Sequence, residues 1–414
     1  MGVRVFRSTY NYMICFAALS MWVYNSYFKL DVASLLVFFG NDAHCDISTE
    51  AVGVHCFGDY GSTRIPNLSD LPQGPEAVYP VVTRLFRYPF QLIDNLVGYR
   101  YSALIFTLML GGCVLYPLVD QARKNAIRLH EAALIGLTSL PFVATLDRGN
   151  LIGFATPAIY YFVRHSDAQN RAGQFLSFGI CVAIKPQLAI LSLITLFTVS
   201  MRRTVELIVL TISVVLGPYL LYGTRAGDGI TTWLRAMLEW GQLNTPGISY
   251  PSNLSITTLF ASDIASKTSG TALAILVLGS LSYLLCRARL KDSGKPNDKT
   301  ALGGLLLATI IVSSPISYPY YTVFMLPVLA LLLDSDRHQH EHPTIAGHSF
   351  VQISLAVMMA PVIIPSSLTV GSQTGPSGVY NLYPAIQVCA LLVCIAIFLR
   401  HLASNNHSWR RIQT

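Results

Sequence analysis

The chain has 414 residues, of which 52% are hydrophobic and 12% charged, with a mean hydropathy of +0.50. Soluble domains carry roughly 25% charge, so this composition argues against a conventional water-soluble enzyme and excludes a disordered chain. The net charge of +7 comes from 28 basic residues scattered singly or in pairs, with no basic and aromatic stripe, so nucleic acid is not an expected partner.

Long apolar runs recur from Tyr10 to Leu399, and the clearest exceed the ~17 residues that cross a bilayer's hydrocarbon core as a helix. The first, Tyr10 to Leu30, follows Arg4 and Arg7 and lacks a small-residue cleavage site, which reads as a retained helix rather than a signal peptide. Further spans are expected at 97–119, 131–147, 151–163, 172–184, 187–200, 204–222, 271–286, 301–314, 321–333, 345–365 and 382–399, about twelve in all. The ~10-residue alternating segments of a transmembrane barrel do not occur. The fold expected is therefore an all-α polytopic membrane protein, one integral-membrane domain over residues 1–414.

Cytoplasmic loops retain Lys and Arg during insertion. With both termini inside, a twelve-span topology puts 18 of the 28 basic residues on the cytoplasmic side and 10 on the other. The inside loops are short and basic, such as QARKNAIR at 121–128. Two outside segments are long, 31–78 and 223–270. Long loops are usually functional or disordered. These carry Phe57, Tyr60, Trp233, Leu234, Leu238, Trp240 and Tyr250 among their polar residues, so re-entrant or interfacial helices are expected in them. Twelve of the 21 acidic residues share that face, which makes it the working surface.

Within the first outside loop, Asp59 in CFGDYGSTR is a candidate general base, because a carboxylate there can take the proton of an attacking hydroxyl. Asp31 and Asp42 compete for the role, and a solvated loop acid explains the composition equally well. Cys45 and Cys56 enclose DISTEAVGVH in the same loop, where an oxidising compartment permits a disulfide. The other six cysteines fall in apolar runs or at their ends.

In chain order the next features are Arg148 and Asn150 in TLDRGNLIG, at a turn between two spans. Arg148 either pairs with Asp147 or joins a phosphate clamp, and Asn150 either caps the next helix or hydrogen-bonds a sugar. From 151 to 200 the spans are short and interrupted by Pro157, Lys185 and Pro186. Broken helices at membrane depth survive only inside protein or along a water-filled cavity, so these helices are expected to line a cavity open to the outside. An ionisable residue in such a run is a functional hypothesis by default, and Lys185 is best used on a lipid-linked phosphate, with snorkelling to the interface as the alternative. Tyr318, Tyr320 and Tyr321 in SSPISYPYY mark another outside turn. They belong either to an interfacial aromatic belt or to a sugar or prenyl-phosphate contact. His338, His340 and His342 lie on a cytoplasmic loop and read as a solvated linker rather than a metal site. No cofactor is called for: there is no Gly-rich phosphate loop and no dinucleotide fingerprint, while a divalent metal requirement stays open.

The ordered set of YPVV at 79–82, RGN at 148–150, AGQFLSFGICVAIKP at 172–186, SNLSITTLF at 252–260 and SPISYPYYTVFMLP at 314–327 resembles glycosyltransferase family 87. These are the polyprenol-phosphate-mannose-dependent mannosyltransferases of the C-type membrane glycosyltransferase superfamily. The resemblance implies an inverting transfer of a sugar, mannose by analogy, from a polyprenyl-phosphate donor to a hydroxyl of a glycolipid or glycan on the extracytoplasmic face. By the same resemblance Asp59 matches the first-loop acid, YPVV with Tyr79 the family's YPP, and Lys185 the lysine on the phosphate side. The chain departs in two places. Tyr318, Tyr320 and Tyr321 stand where the family commonly has a tryptophan and paired histidines, and the acid is unusually close to YPVV. The reading from another class, a secondary transporter or lipid flippase, suits twelve spans and broken helices, but no internal repeat supports it.

Overall fold

The structure is a computed structural model that describes residues 2–28, 79–166, 170–243, 256, 263–287, 296–314, 317, 319–337, 348–360 and 383–405. Asp31, Asp42, Cys45, Cys56, Asp59, Tyr318 and the histidine run lie outside the described residues. Every regular element among the described residues is helical. In chain order these are α1 (Gly2–Phe28), α2 (Val81–Val97), α3 (Tyr99–Arg123), α4 (Leu129–Thr138), α5 (Leu140–Arg148), α6 (Ala155–Arg164), α7 (Arg171–Ile184), α8 (Ser192–Thr198), α9 (Met201–Leu216), α10 (Ala226–Leu243), α11 (Asp263–Arg287), α12 (Pro296–Ser313), α13 (Met325–Arg337), α14 (His348–Met359) and α15 (Tyr383–Asn405). Short 3-10 turns at Leu151–Phe154, Pro186–Leu191, Gly217–Arg225 and Pro319–Phe324 lead into or join neighbouring helices.

Most expected spans overlap a helix or a turn and helix in series, but 131–147 divides into α4 and α5, and of 345–365 only 348–360 is described. Only three stretches among the described residues are long and apolar enough to cross a membrane: Tyr101–Arg123, Met201–Met237 and Ala385–Ala403. A fourth appears if α4 and the start of α5, bent by 55°, count as one. The bend has a local cause. Pro141 near the start of α5 has no N–H to continue the ladder of α4, and Ser139 between them adopts extended backbone (φ −76°, ψ 144°). One helix was not foreseen: α2, which follows the YPVV start. Helix α10 occupies the beginning of the second long outside segment, where a helix was expected.

The centre of the bundle is α12 and α13. Residues 301–312 and 320–333 are buried without interruption, the pattern of a helix apolar on all sides and enclosed by others. Helix α12 packs on α11, α13 and α15, and α13 packs on α3 and α6. Outer helices instead expose large apolar side chains, including Leu108, Leu220, Ile275 and Leu276, each at least 63% exposed. An apolar perimeter around an apolar core is what a lipid-facing bundle requires, and soluble proteins rarely carry such contiguous patches.

At one end of α3, a polar network ties three helices. The Tyr160 hydroxyl (α6) donates to Asp120 Oδ2 (α3) at 2.6 Å and receives from Arg164 Nη1 at 2.8 Å and Gln121 Nε2 at 2.7 Å. Arg164 also reaches Asp120 at 3.2 Å and Asp334 of α13 at 3.4 Å, and Lys124 pairs with Asp120. Two cations therefore meet two carboxylates around one phenol.

Candidate active site at the break between α7 and α8

Helix α7 stops because Pro186 has no N–H and disfavours helical backbone in the residue before it. Lys185 is accordingly extended (φ −144°, ψ 101°). A helix end leaves carbonyls without intrahelical partners, and here α2 supplies one. The Thr83 hydroxyl donates to the carbonyl of Ala183 at 2.7 Å and lies 3.4 Å from that of Ile184. The break is thus held from the side, one residue before the lysine. Lys185 is half-buried, with Nζ 4.9 Å from the centroid of the Tyr321 ring. That is a cation–π placement. No carboxylate among the described residues forms an ion pair with Lys185.

Tyr321 belongs to the Pro319–Phe324 turn. It stacks on Tyr320 at 5.0 Å between centroids and meets Phe324 edge-on at 5.9 Å; both tyrosines are at least 93% buried. This turn packs on α5 and on the Leu151–Phe154 turn, and the latter also touches α7. The RGN segment at 148–150 therefore comes beside the tyrosine turn at 319–324, two pieces far apart in sequence. Its own roles divide. Gly149 closes α5 in the left-handed region (φ 61°, ψ 35°), where a glycine costs least. Asn150 Oδ1 accepts the Ile152 N–H at 2.9 Å, so the asparagine caps the next turn. Arg148 is the last residue of α5; its side chain lies outside what is described.

Helix α2 is the element that motif reading missed. Thr83, Arg84, Arg87, Gln91 and Asp94 are all buried, with Arg84 and Arg87 only 2% and 1% exposed. The spacing 84, 87, 91, 94 is +3, +4, +3, one face of an α-helix. Arg87 Nη2 bonds Asp94 Oδ2 at 3.0 Å, one of the most enclosed ion pairs among the described residues. Arginine is the usual choice for buried ion pairs, and removing one partner of such a pair is strongly destabilising. Apolar residues of α2 fix the helix in place: Phe86 and Phe90 pack on Phe154 at 5.5 and 6.0 Å, and Phe90 on Phe106 at 4.9 Å. The turn into α3 needs Gly98 at φ 88°, and Ser102 Oγ donates to the Phe90 carbonyl at 2.8 Å. Tyr79, half-buried, stands immediately before Pro80 and the start of α2.

Two chain segments therefore meet at the α7 break, the N-terminal end of α2 through Thr83 and the tyrosine turn through Tyr321, and the α5 end with its cap packs on that tyrosine turn. Of the residues expected at the site, Lys185, Tyr320, Tyr321 and Asn150 belong to these segments, and Tyr79 adjoins α2. The groups with a metal-holding composition expected of His, Cys, Asp and Glu clusters do not occur among the described residues. In comparisons with known proteins, the family described as Glycosyltransferase family 87 matches residues 77–315, more than half of the chain, from just before α2 to the tyrosine turn. No curated protein and no solved structure matches the chain.

Proposed function

The chain belongs to glycosyltransferase family 87, and from that premise we propose that it transfers a sugar, mannose by family analogy, from a polyprenyl-phosphate donor to a hydroxyl of a glycolipid or glycan on the extracytoplasmic face. The observation that carries the donor class is Lys185. It is a cation set at a helix break, backed by an aromatic ring and paired with no carboxylate among the described residues. Burying part of an ammonium without an anion is costly, and a phosphate arriving with the substrate offsets that cost. Arg148, the last residue of α5, joins Lys185 on the phosphate in this reading.

Helix α7 has 14 residues, or ~21 Å of rise, against a hydrocarbon core of ~30 Å. With the Arg171 end at the cytoplasmic interface of a twelve-span topology, Lys185 stands ~9 Å short of the opposite boundary, and a donor phosphate reaches it by entering the cavity that the broken helices line in this reading. In the transfer step, the acceptor oxygen attacks the anomeric carbon and the bond from that carbon to the phosphate oxygen breaks. The electron pair leaves on the phosphate, whose charge rises and is met by Lys185. The acceptor proton goes to a first-loop carboxylate, Asp59 by the family pattern, with Asp31 and Asp42 as the alternatives. Tyr79, Tyr318, Tyr320, Tyr321 and Asn150 line the substrate side in this reading, and Cys45 bonded to Cys56 would restrain the loop that carries the acid. The rival reading as a transporter or flippase loses its ground, because the family is one of glycosyltransferases.

The direct test is a transfer assay with radiolabelled polyprenyl-phosphate sugars and membrane extracts as acceptors. Label moving into the lipid or glycan fraction with wild-type protein supports the donor class. Transfer from nucleotide sugars alone contradicts it.

A further inference from the structure

The opposite end of α7 carries a second cluster that catalysis does not use. Arg171 Nη2, Arg202 Nε and Arg203 Nε all converge on Glu206, at 2.8, 3.3 and 3.4 Å. Arg171 and Arg203 further lie 5.3 and 5.5 Å from the centroid of the Phe175 ring, and Arg203 Nη1 donates to Gln174 Oε1 at 3.1 Å. Three guanidinium groups thus share one carboxylate, leaving an excess of two positive charges among the described residues. The side chains of Arg171 and Arg202 are 56% and 86% exposed, while Arg203 is held at 18%. Below the cluster, on the outward faces of α7 and α9, Leu176, Val205, Val209 and Ile212 are 68%, 45%, 55% and 54% exposed. The α9 members sit at i, i+4 and i+7, a stripe that continues directly from Arg202.

We propose that this is a binding seat for an anionic phospholipid, with the headgroup phosphate on Arg171, Arg202 and Arg203 and the acyl chains along the Leu176, Val205, Val209 and Ile212 stripe. Guanidinium groups match phosphate oxygens in pairs, and clusters of basic residues at the end of an apolar helix attract acidic lipid. Glu206 orients the arginines without neutralising them. Phe175 keeps two of them on the protein surface instead of in bulk water. A zwitterionic lipid gains less, because its own ammonium competes for the phosphate. The seat is on the far end of α7 from Lys185, and it stands whichever reaction the site at Lys185 performs.

The test measures lipid retention by native mass spectrometry on full-length protein purified in detergent, with phosphatidylglycerol or phosphatidylcholine added as the probe. Wild-type protein is expected to retain phosphatidylglycerol in preference to phosphatidylcholine. Arg171→Gln with Arg202→Gln should weaken phosphatidylglycerol retention by about 25-fold, about fivefold for each charge at about 1 kcal/mol per basic residue. Arg123→Gln, an exposed arginine at the end of α3, should leave it unchanged. If the double variant does not fold, Arg202→Gln alone should still lose about fivefold on the same scale. Undiminished retention in the folded variants, an equal loss in Arg123→Gln, or equal retention of the two lipids in wild type overturns the proposal.

Discussion

Two regions of this molecule place a cation against a tyrosine ring, with opposite outcomes. At the Asp120 network, Lys124 and Arg164 each stand 5.8 Å from the Tyr160 centroid, and both also pair with Asp120. At the α7 break, Lys185 stands 4.9 Å from Tyr321 with no carboxylate among the described residues forming its pair. The first arrangement is internally neutral and crosslinks α3, α6 and α13. The second has a ring for support and a charge left to spend on a substrate. The same local chemistry is structural where the acid is built in and functional where the acid has to be brought by the ligand.

Substitutions at four positions bear on that contrast. The largest effect is expected at the proposed base: Asp59→Asn should abolish sugar transfer while leaving membrane insertion intact, read by labelled transfer and by membrane fractionation. Retained turnover would move the base to Asp31 or Asp42. Next, Arg87→Ala breaks the buried pair with Asp94 and should destabilise the protein by about 3–5 kcal/mol, seen as a lower thermal melting temperature in detergent. Asp120→Asn removes the carboxylate shared by Lys124 and Arg164. A loss of about 1–3 kcal/mol in stability is expected, with the donor KM unchanged because the network is remote from Lys185. A raised donor KM in that variant would erase the distinction between the two regions. The smallest effect falls on the ring under the lysine. Tyr321→Leu should raise the donor KM by ~2- to 30-fold, the range of a cation–π contact worth ~0.5–2 kcal/mol. Tyr321→Phe, which keeps the ring, should restore most of that loss in the same titration.

Much of the fold was legible because apolar runs dictate helices irrespective of tertiary detail. The expected 97–119 and 382–399 became Tyr99–Arg123 and Tyr383–Asn405, and Lys185–Pro186 did break its helix. The number of crossings was less legible. A run such as 345–365 carries no Asp, Glu, Lys or Arg, yet His348–Met359 is the helix described there. The main omission was α2. Its inward face carries Thr83, Arg84, Arg87, Gln91 and Asp94 beside Val81 and Phe90, polar where a core face is normally apolar, so a search for uncharged apolar runs passed over it. The +3, +4, +3 spacing of Arg84, Arg87, Gln91 and Asp94 was present in the sequence and would have identified the helix. For Asn150, sequence left capping and sugar binding open; the Oδ1 bond to Ile152 is the cap.

The most direct test of the account is a donor and acceptor titration of Lys185→Ala beside Lys185→Arg, with a labelled polyprenyl-phosphate sugar. If Lys185 meets the charge that develops on the departing phosphate, the alanine variant should lose about 100- to 1000-fold in turnover with donor, the scale of removing one preorganised charge-stabilising group. The acceptor KM should stay unchanged, and arginine should recover part of the turnover. Equal weakening toward donor and acceptor, or wild-type turnover without the ammonium, would contradict it.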